Sequence, residues 1–167
     1  FRTAVAQIVQ IPGIAGMENN SILFEFDADK PEDLDEIIDG CQFAAAADLN
    51  ICILRSSERH FGYKSRIDIW LTPGDLRNAN LMIILSYIMI GHPEWSKSQL
   101  KLYVTYIRDE ISEDRERVKN LVSKGRILIS RKNIQFVPLD THDHFDDAVE
   151  QYSETSDLVI TGFSLNK

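Results

Sequence analysis

The sequence predicts an α/β fold in which a mostly parallel sheet carries helices on both faces. The chain has 167 residues, 44% of them hydrophobic, which is enough to bury one sizeable core. Runs rich in Ile, Leu, Val and Phe alternate along it with segments whose apolar residues recur at helical spacing. This alternation is typical of parallel sheets, because a parallel connection has to cross from one end of the sheet to the other. The sequence contains no internal repeat and no long low-complexity tract, so we expect a single domain over residues 1–167.

The first predicted elements are a helix, a strand and a second helix. Residues 1–9 indicate a helix, and the alternating run at residues 21–26 indicates a strand that follows a turn-prone segment. The second helix follows Pro31, which suits a first helical turn, and acidic residues occupy its positively polarised start. Its apolar residues at helical spacing are Leu34, Ile37, Ile38, Cys41 and Ala45.

Two β-rich runs, "ICILR" and "RIDIWL", follow this helix. The polar segment between them, "SSERHFGYKS", has a length and a glycine that suit a hairpin or a short excursion better than a crossover helix. We therefore expect the two runs to be neighbouring strands.

The rest of the chain continues the alternation of strands and helices. The predicted elements are a helix at 81–90, the strand "LKLYVTYI", a helix at 113–124, the strand "IQFVPL", a helix at 144–154 and the strand "DLVITG". The ends of the 113–124 helix are marked by Ser112, which can cap its start, and by Gly125, which can adopt a left-handed conformation after its end.

The predicted helix at 81–90 is apolar on every side, which would suit a membrane. Spanning a bilayer takes about 20 residues, however, and this run has about half that number. We expect a helix buried on both sides in the core, with a partner-facing helix as the alternative. Ser86 and Tyr87 would then need hydrogen-bond partners or a position at the rim of the core.

The charge of the chain disfavours a nucleic-acid partner. The formal net charge is -8, whereas a phosphate backbone binds basic surfaces. Nine of the eighteen Lys and Arg residues lie within 101–132, but five carboxylates are interleaved with them, so no basic face follows. We therefore expect no nucleic-acid partner.

The loop after "RIDIWL" has the strand–loop–helix placement of a phosphate-binding loop. Its sequence, "TPGDLRNAN", has one glycine and no lysine, whereas nucleotide loops need spaced glycines and the Walker type also needs a lysine. Asp75 would repel a phosphate, although Arg77 could offset that charge. We therefore expect a structural loop and no bound cofactor.

The segment "DTHDHFDD" places His142 and His144 among four aspartates, all of which are potential metal ligands. This segment is expected at a helix start, where aspartates are favoured as caps and dipole partners, so we expect no metal. Cys41 and Cys52 lie in predicted core elements without the spacing of a disulfide framework or a zinc site, and indicate a reducing compartment. No G-x-S-x-G elbow is present, and we predict no catalytic residue.

Three stretches match, in order and spacing, the motifs of one known family. "RIDIWL" resembles its strand I-D-V-W-W-L through Asp68 and Trp70, and "LMIILSYIM" resembles its helix T-L-L-I-P-Y-L-L. "ISEDRERVKNLVSKGRILI" is similar to its segment I-x-E-D-R-x-x-M-x-x-L-L-S-K-F-R-I and matches it at Glu113, Asp114, Arg115, Leu121, Ser123, Lys124, Arg126 and Ile127. The chain thus resembles the C-terminal cytosolic domain of the cation-chloride cotransporters, the Na-K-Cl and K-Cl carriers.

The chain also departs from this family's pattern. Leu71 stands where a second tryptophan is usual, Gly125 replaces a phenylalanine, and residues 72–80 differ from the family's D-D-G-G-L loop. The long inserts of animal members are missing from the sequence, which indicates a short, prokaryote-like member. The first residue is Phe1 rather than Met, so we expect a piece of a longer protein.

The resemblance implies a fold similar to universal stress proteins and a regulatory role without catalysis. It implies a homodimer through this domain, attached to the transmembrane domain of the same chain on the cytoplasmic side of the cell membrane, with no insertion of this domain into the bilayer. The residues to which it gives a structural or regulatory role are Asp68, Trp70, Glu113, Asp114, Arg115, Ser123, Lys124 and Arg126. Two alternatives stay open, a nucleotide-binding universal-stress-type module and a hydrolase or metal enzyme that uses His142 and His144.

Overall fold

The computed structural model describes residues 2–11, 13, 19–107 and 129–164. The chain divides into two compact units, Phe1–His60 (unit 1) and Phe61–Lys167 (unit 2). Both units are built from helices and parallel strands, which confirms the predicted α/β fold. The expectation of a single domain over residues 1–167 stays a prediction.

Unit 1 is a strand–helix–strand unit preceded by a helix. Its elements are α1 (Arg2–Val9), β1 (Ser21–Asp27), α2 (Asp33–Ala46) and β2 (Asn50–Ser56). The two strands pair in parallel, with Ser21 beside Asn50 and Asp27 beside Ser56. Three carboxylates occupy the first turn of α2, where the positive end of the helix dipole favours them. The buried core of unit 1 includes Val5, Phe24, Ile37 and Cys41.

Unit 2 contains a four-stranded parallel sheet. Its elements are β3 (Arg66–Leu71), α3 (Ala79–Gly91), β4 (Gln99–Ile107), β5 (Ile134–Leu139), α4 (Phe145–Ser153) and β6 (Leu158–Thr161). Short 3-10 turns lie at Pro73–Arg77, Pro93–Trp95, Arg131–Asn133 and His142–His144. The strand order is β5-β4-β3-β6, so β3 lies in the interior of the sheet.

The sheet of unit 2 carries a helix on each face, as the sequence predicts. Successive side chains of a strand point to opposite faces. Ile67 and Ile69 of β3 belong to a core that includes Met82 of α3. Trp70 belongs to a second core that includes Ala148 of α4. The two helices therefore cover opposite faces.

The strand order reverses beside β3. The chain passes from β3 to β4 to β5 in one direction, and α4 then leads back to β6 on the other side of β3. Open α/β sheets bind their ligands at such a reversal, outside the carboxyl ends of the strands. A ligand site in this sheet would therefore lie at the segments that follow β3 and β6.

The expectation that "ICILR" and "RIDIWL" form neighbouring strands is wrong. β2 pairs with β1, whereas β3 pairs with β4 along one edge and with β6 along the other. Because both edges of β3 are already hydrogen-bonded to parallel strands, no edge remains for β2.

The expectation that the 81–90 helix is buried on both sides is also wrong. The residues of α3 that face the core are Ala79, Met82, Ile83 and Ser86. Ile84 and Ile88 are exposed on the opposite side, because α3 packs against only one face of a sheet. The buried Ser86 hydroxyl donates to the Ile83 carbonyl at 2.7 Å, and Tyr87 lies at the rim.

The predicted helix at 113–124, with Ser112 and Gly125 at its ends, lies outside the described residues. The other predicted strands and helices are confirmed. Within the described ranges, no helix combines the length and the apolar character that crossing a bilayer requires.

Candidate functional site

A charged pair is buried at the amino end of β3. Arg66 holds the Asp68 carboxylate at two points, since Nε donates to Oδ1 at 2.9 Å and Nη2 donates to Oδ2 at 2.7 Å. The Asp68 side chain has no exposed surface and that of Arg66 is 17% exposed. Residues two apart on a strand share a face, so β3 itself brings the two side chains together.

Two serine hydroxyls complete the environment of Asp68. Ser153, at the end of α4, donates to Oδ2 at 2.7 Å, and Ser156 donates to the same oxygen. The Trp70 indole N–H in turn donates to the Ser153 hydroxyl at 2.9 Å. Asp68 and Trp70 are thus joined through one serine.

Arg66 has further partners beyond Asp68. It donates to the Tyr103 hydroxyl and to the Tyr152 carbonyl, both at 2.7 Å, and to the Thr155 hydroxyl at 3.1 Å. These contacts tie β3 to β4 and to the end of α4. We call the whole set the buried polar network, namely Arg66, Asp68, Trp70, Tyr103, Ser153 and Ser156.

Aromatic rings enclose this network. Trp70 stacks on Tyr103, with ring centroids 4.5 Å apart and planes inclined by 14°. Phe145 and Tyr152 meet Trp70 edge-on at centroid distances of 5.8 and 6.2 Å. Such pairs add to the stability gained by burial alone.

The pKa values of two residues of the network, Arg66 and Tyr103, are raised. Burial opposes the charge on Arg66, but the hydrogen bond and the negative charge of Asp68 outweigh it, so the guanidinium pKa is raised. Burial, reinforced by the charge of Asp68, raises the pKa of the Tyr103 phenol. Near neutral pH Arg66 is therefore charged and the Tyr103 phenol is neutral.

The buried polar network is closed. Within the part of the chain that the structure describes, every buried side-chain nitrogen or oxygen has a hydrogen-bond partner. The charged pair of the network, Arg66 and Asp68, also lies toward the amino end of β3, away from the sheet edge where α/β folds bind ligands. Its role in this geometry is to fix β3, β4 and α4 to one another.

A second carboxylate fixes the loop that leads into β3. Asp157 accepts from Ser65 N and from Ser65 Oγ, both at 2.7 Å, from Tyr63 N at 3.0 Å and from Arg66 N at 3.2 Å. Burial by itself would raise the pKa of Asp157, but these hydrogen bonds outweigh it and lower the pKa. The charged form is therefore the one that holds the loop.

At the strand-order reversal, the loop after β3 is closed by its own side chains. Asp75, which is 8% exposed, accepts from Thr72 N at 3.0 Å and from Thr72 Oγ1 at 2.6 Å. The other carboxylate oxygen, Oδ1, lies against Gly162, the residue just after β6. If Gly162 carried a Cβ atom, that atom would be only 1.9 Å from Asp75 Oδ1. The Asp75 carboxylate thus occupies the space between the two loops.

The histidine segment forms a helix start, as the sequence predicts. The turn His142–His144 leads directly into α4, whose first turn is acidic. His144 Nδ1 lies 3.2 Å from Thr141 Oγ1, and a groove of about 310 Å³ beside it is lined in part by Asp140 and Asp147. Among the described residues, no three His, Cys, Asp or Glu side chains converge to hold a metal ion.

Of the residues to which the resemblance gives a structural or regulatory role, the structure describes Asp68 and Trp70 and brings them together. The remaining motif residues lie outside the described residues, and these are Glu113, Asp114, Arg115, Ser123, Lys124 and Arg126. Sequence reasoning misses Arg66, Ser153 and Ser156. The position of Arg66 two residues before Asp68 in a strand is a signal that could find it, but nothing local marks the serines.

Comparison with known proteins leaves the family open. No protein-family model matches the chain, and a search of curated proteins finds no significant match.

Proposed function

We propose that this chain is a non-catalytic regulatory and dimerisation domain of a cation-chloride cotransporter, on the cytoplasmic side of the cell membrane. The motifs around Asp68 and Trp70 and within 111–129 support the family. One observation supports a regulatory role over a role that depends on a bound ligand. The Asp75 carboxylate fills the crevice at the strand-order reversal.

This carboxylate takes the place that a ligand phosphate would need. In doubly wound sheets, the phosphate is held by backbone N–H groups of the loop that follows the first strand. Here the Thr72 N–H donates to Asp75, whose second oxygen lies against Gly162. An incoming phosphate would have to displace an anion that already uses the loop's donors. The geometry therefore favours function through the protein surface.

The positions of Asp68 and Trp70 also support the proposal. Both belong to a closed network of buried hydrogen bonds, so their chemistry is used to hold elements together. A motif that serves architecture suits a domain that transmits conformational signals and performs no reaction.

Reading the gene upstream of the Phe1 codon tests the proposal. We expect the same reading frame to encode about a dozen apolar segments of about 20 residues, each long enough to span a bilayer. Chloride-dependent uptake of rubidium by cells that express the full-length gene is the matching functional measurement. A frame that opens within a few codons of Phe1, or continues into another soluble domain, would refute the proposal.

A nucleotide-binding module of the universal stress type is the second candidate, and the reversal of strand order between β3 and β6 favours it. Titration calorimetry with ATP, ADP and AMP distinguishes the two. We expect no saturable heat from any of them. Saturable binding that Gly162→Ala abolishes would establish the second candidate in place of the first.

A further inference from the structure

The solvent-facing side of α3 is an apolar surface. Ile84 is 56% and Ile88 is 65% exposed. Leu81 and Leu85 are partly exposed on the same side, and no residue of Ala79–Gly91 carries a charge. We call these four side chains the α3 face. A contiguous exposed apolar surface of this kind typically marks an interaction site.

We propose that the α3 face is the interface through which two copies of this chain associate. The inference deepens the proposed function, on which it rests for the expectation of a homodimer. It adds the surface and the geometry, which the sequence motifs leave unspecified.

The spacing of the α3 face suits association with itself. Leu81, Ile84, Leu85 and Ile88 follow the i, i+3, i+4, i+7 pattern and form one stripe along the helix. When two such helices cross antiparallel about a two-fold axis near Ile84 and Leu85, Leu81 of each copy meets Ile88 of the other. Every apolar side chain then finds an apolar partner, as an isologous interface requires.

The distribution of charge favours a second copy at this surface. Unit 1 contains eleven carboxylates and four Lys or Arg residues, whereas unit 2 contains fifteen and fourteen, so the formal charges are -7 and -1. Two copies that meet through unit 1 would repel each other, but an approach through the uncharged α3 meets little repulsion. Helices that lie on lipid surfaces instead combine an apolar face with Lys and Arg residues, which α3 lacks.

Sedimentation velocity of the whole chain tests this interface, with Ile84→Glu as the variant and Ile8→Glu as the matched control. Ile8 is an isoleucine of α1 that is 52% exposed, close to the value for Ile84. We expect a dimer for the unaltered chain and for Ile8→Glu. Ile84→Glu places two carboxylates together at the two-fold axis, so dimerisation should weaken at least about a hundredfold. Because Ile84 is exposed within one chain, Ile84→Glu should not unfold the monomer, and its melting temperature should match that of the unaltered chain at concentrations low enough to dissociate the dimer.

A mixing experiment tests the two-fold geometry. Chains with Ile84→Lys should also be monomeric alone, because two lysines then meet. An equimolar mixture of the Ile84→Glu and Ile84→Lys chains should form a heterodimer, since opposite charges meet at the axis.

Four outcomes would overturn the inference. A dimer that persists unchanged in Ile84→Glu would show that another surface is the interface, while the proposed homodimer would stand. A monomeric unaltered chain at all concentrations would contradict both. A monomer that floats with phosphatidylglycerol vesicles, and loses this binding in Ile84→Glu, would assign the α3 face to lipid. A monomer that Ile84→Glu destabilises would show that the chain itself covers the face.

Discussion

Replacing Asp68 by alanine tests whether the buried polar network holds unit 2 together. Asp68 accepts four hydrogen bonds, two from Arg66 and one each from Ser153 and Ser156, and its side chain is fully buried. Removing it leaves a guanidinium that is only 17% exposed without its anion. Breaking a buried ion pair in this way costs about 3 to 5 kcal/mol. Arg66 keeps its bonds to Tyr103 and to the Tyr152 carbonyl, so we expect about 3 kcal/mol.

Both tryptophans of the chain, Trp70 and Trp95, lie in unit 2, so tryptophan fluorescence reports the unfolding of that unit. Urea titrations at pH 7 should show a lower midpoint for Asp68→Ala, with the slope unchanged. In thermal unfolding, the same loss should lower the melting temperature by about 10 to 20 °C for a unit of this size.

The exposed ion pair between Lys64 and Glu94 offers the control. Glu94→Ala removes a carboxylate that is open to solvent, and it should leave the urea midpoint unchanged within error. A midpoint shift for Asp68→Ala as small as that for Glu94→Ala would refute the reasoning. It would mean that the pair and its serine donors contribute nothing beyond what water supplies in the unfolded chain.

Three further changes test other contacts. Gly162→Ala should destabilise unit 2 by about 2 kcal/mol in urea titrations, because the new methyl group displaces the Asp75 carboxylate from its donors, and adding Asp75→Ala should relieve most of this steric clash. Asp157→Asn should cost about 1 kcal/mol at pH 7. Since the folded pKa of Asp157 is lowered, its contribution is present above the unfolded pKa of about 3.9 and lost as pH falls through the folded pKa, so the difference should vanish in strong acid. Burial raises the pKa of both thiols, but Cys41 is inaccessible, so a thiol reagent should label only Cys52 in the native chain and both in urea. Three results would contradict these expectations. They are a destabilisation by Gly162→Ala that is the same in the Asp75→Ala background, a loss of stability in Asp157→Asn that does not depend on pH, and labelling of both cysteines in the native chain.

The strands and helices follow from local patterns, whereas the pairing of strands does not. "ICILR" and "RIDIWL" have the same β-rich character, and both form strands. Their partners depend on which edges other segments occupy, and those segments lie far away in the chain. β3 pairs with β4 along one edge and with β6 along the other. No local property of residues 50–71 specifies this choice of partner strands.

The same limit applies to α3. A sequence without charge indicates a helix that avoids water, but whether its second side is covered depends on the number of layers in the fold. Ile84 and Ile88 are as apolar as Ile83, yet only Ile83 is buried. An all-round apolar helix therefore leaves two outcomes open, and the partner-facing alternative is the one that agrees with the exposure of its outer side.

Of the candidate sites, the loop after β3 could be interpreted from its local sequence, whereas the buried polar network could not. The single glycine and the aspartate of "TPGDLRNAN" already argue against a phosphate loop, and the structure gives Asp75 a position consistent with that argument. The buried polar network is different, because its donors to Asp68 come from residues 85 and 88 positions later. Only Arg66, two residues away on the same face of a strand, is within reach of a local rule.

This separation along the chain has a consequence for synthesis of the protein. Asp68 leaves the ribosome long before Ser153 and Ser156, whose hydroxyl groups donate to it. Asp157, which fixes the loop that leads into β3, also emerges later. Until those residues emerge, β3 carries a carboxylate and a guanidinium with incomplete partners, and one of its edges lacks β6. Nascent unit 2 therefore gains its native stability only after those residues have emerged, and we expect a chain that terminates before Ser153 to be more susceptible to cellular proteases.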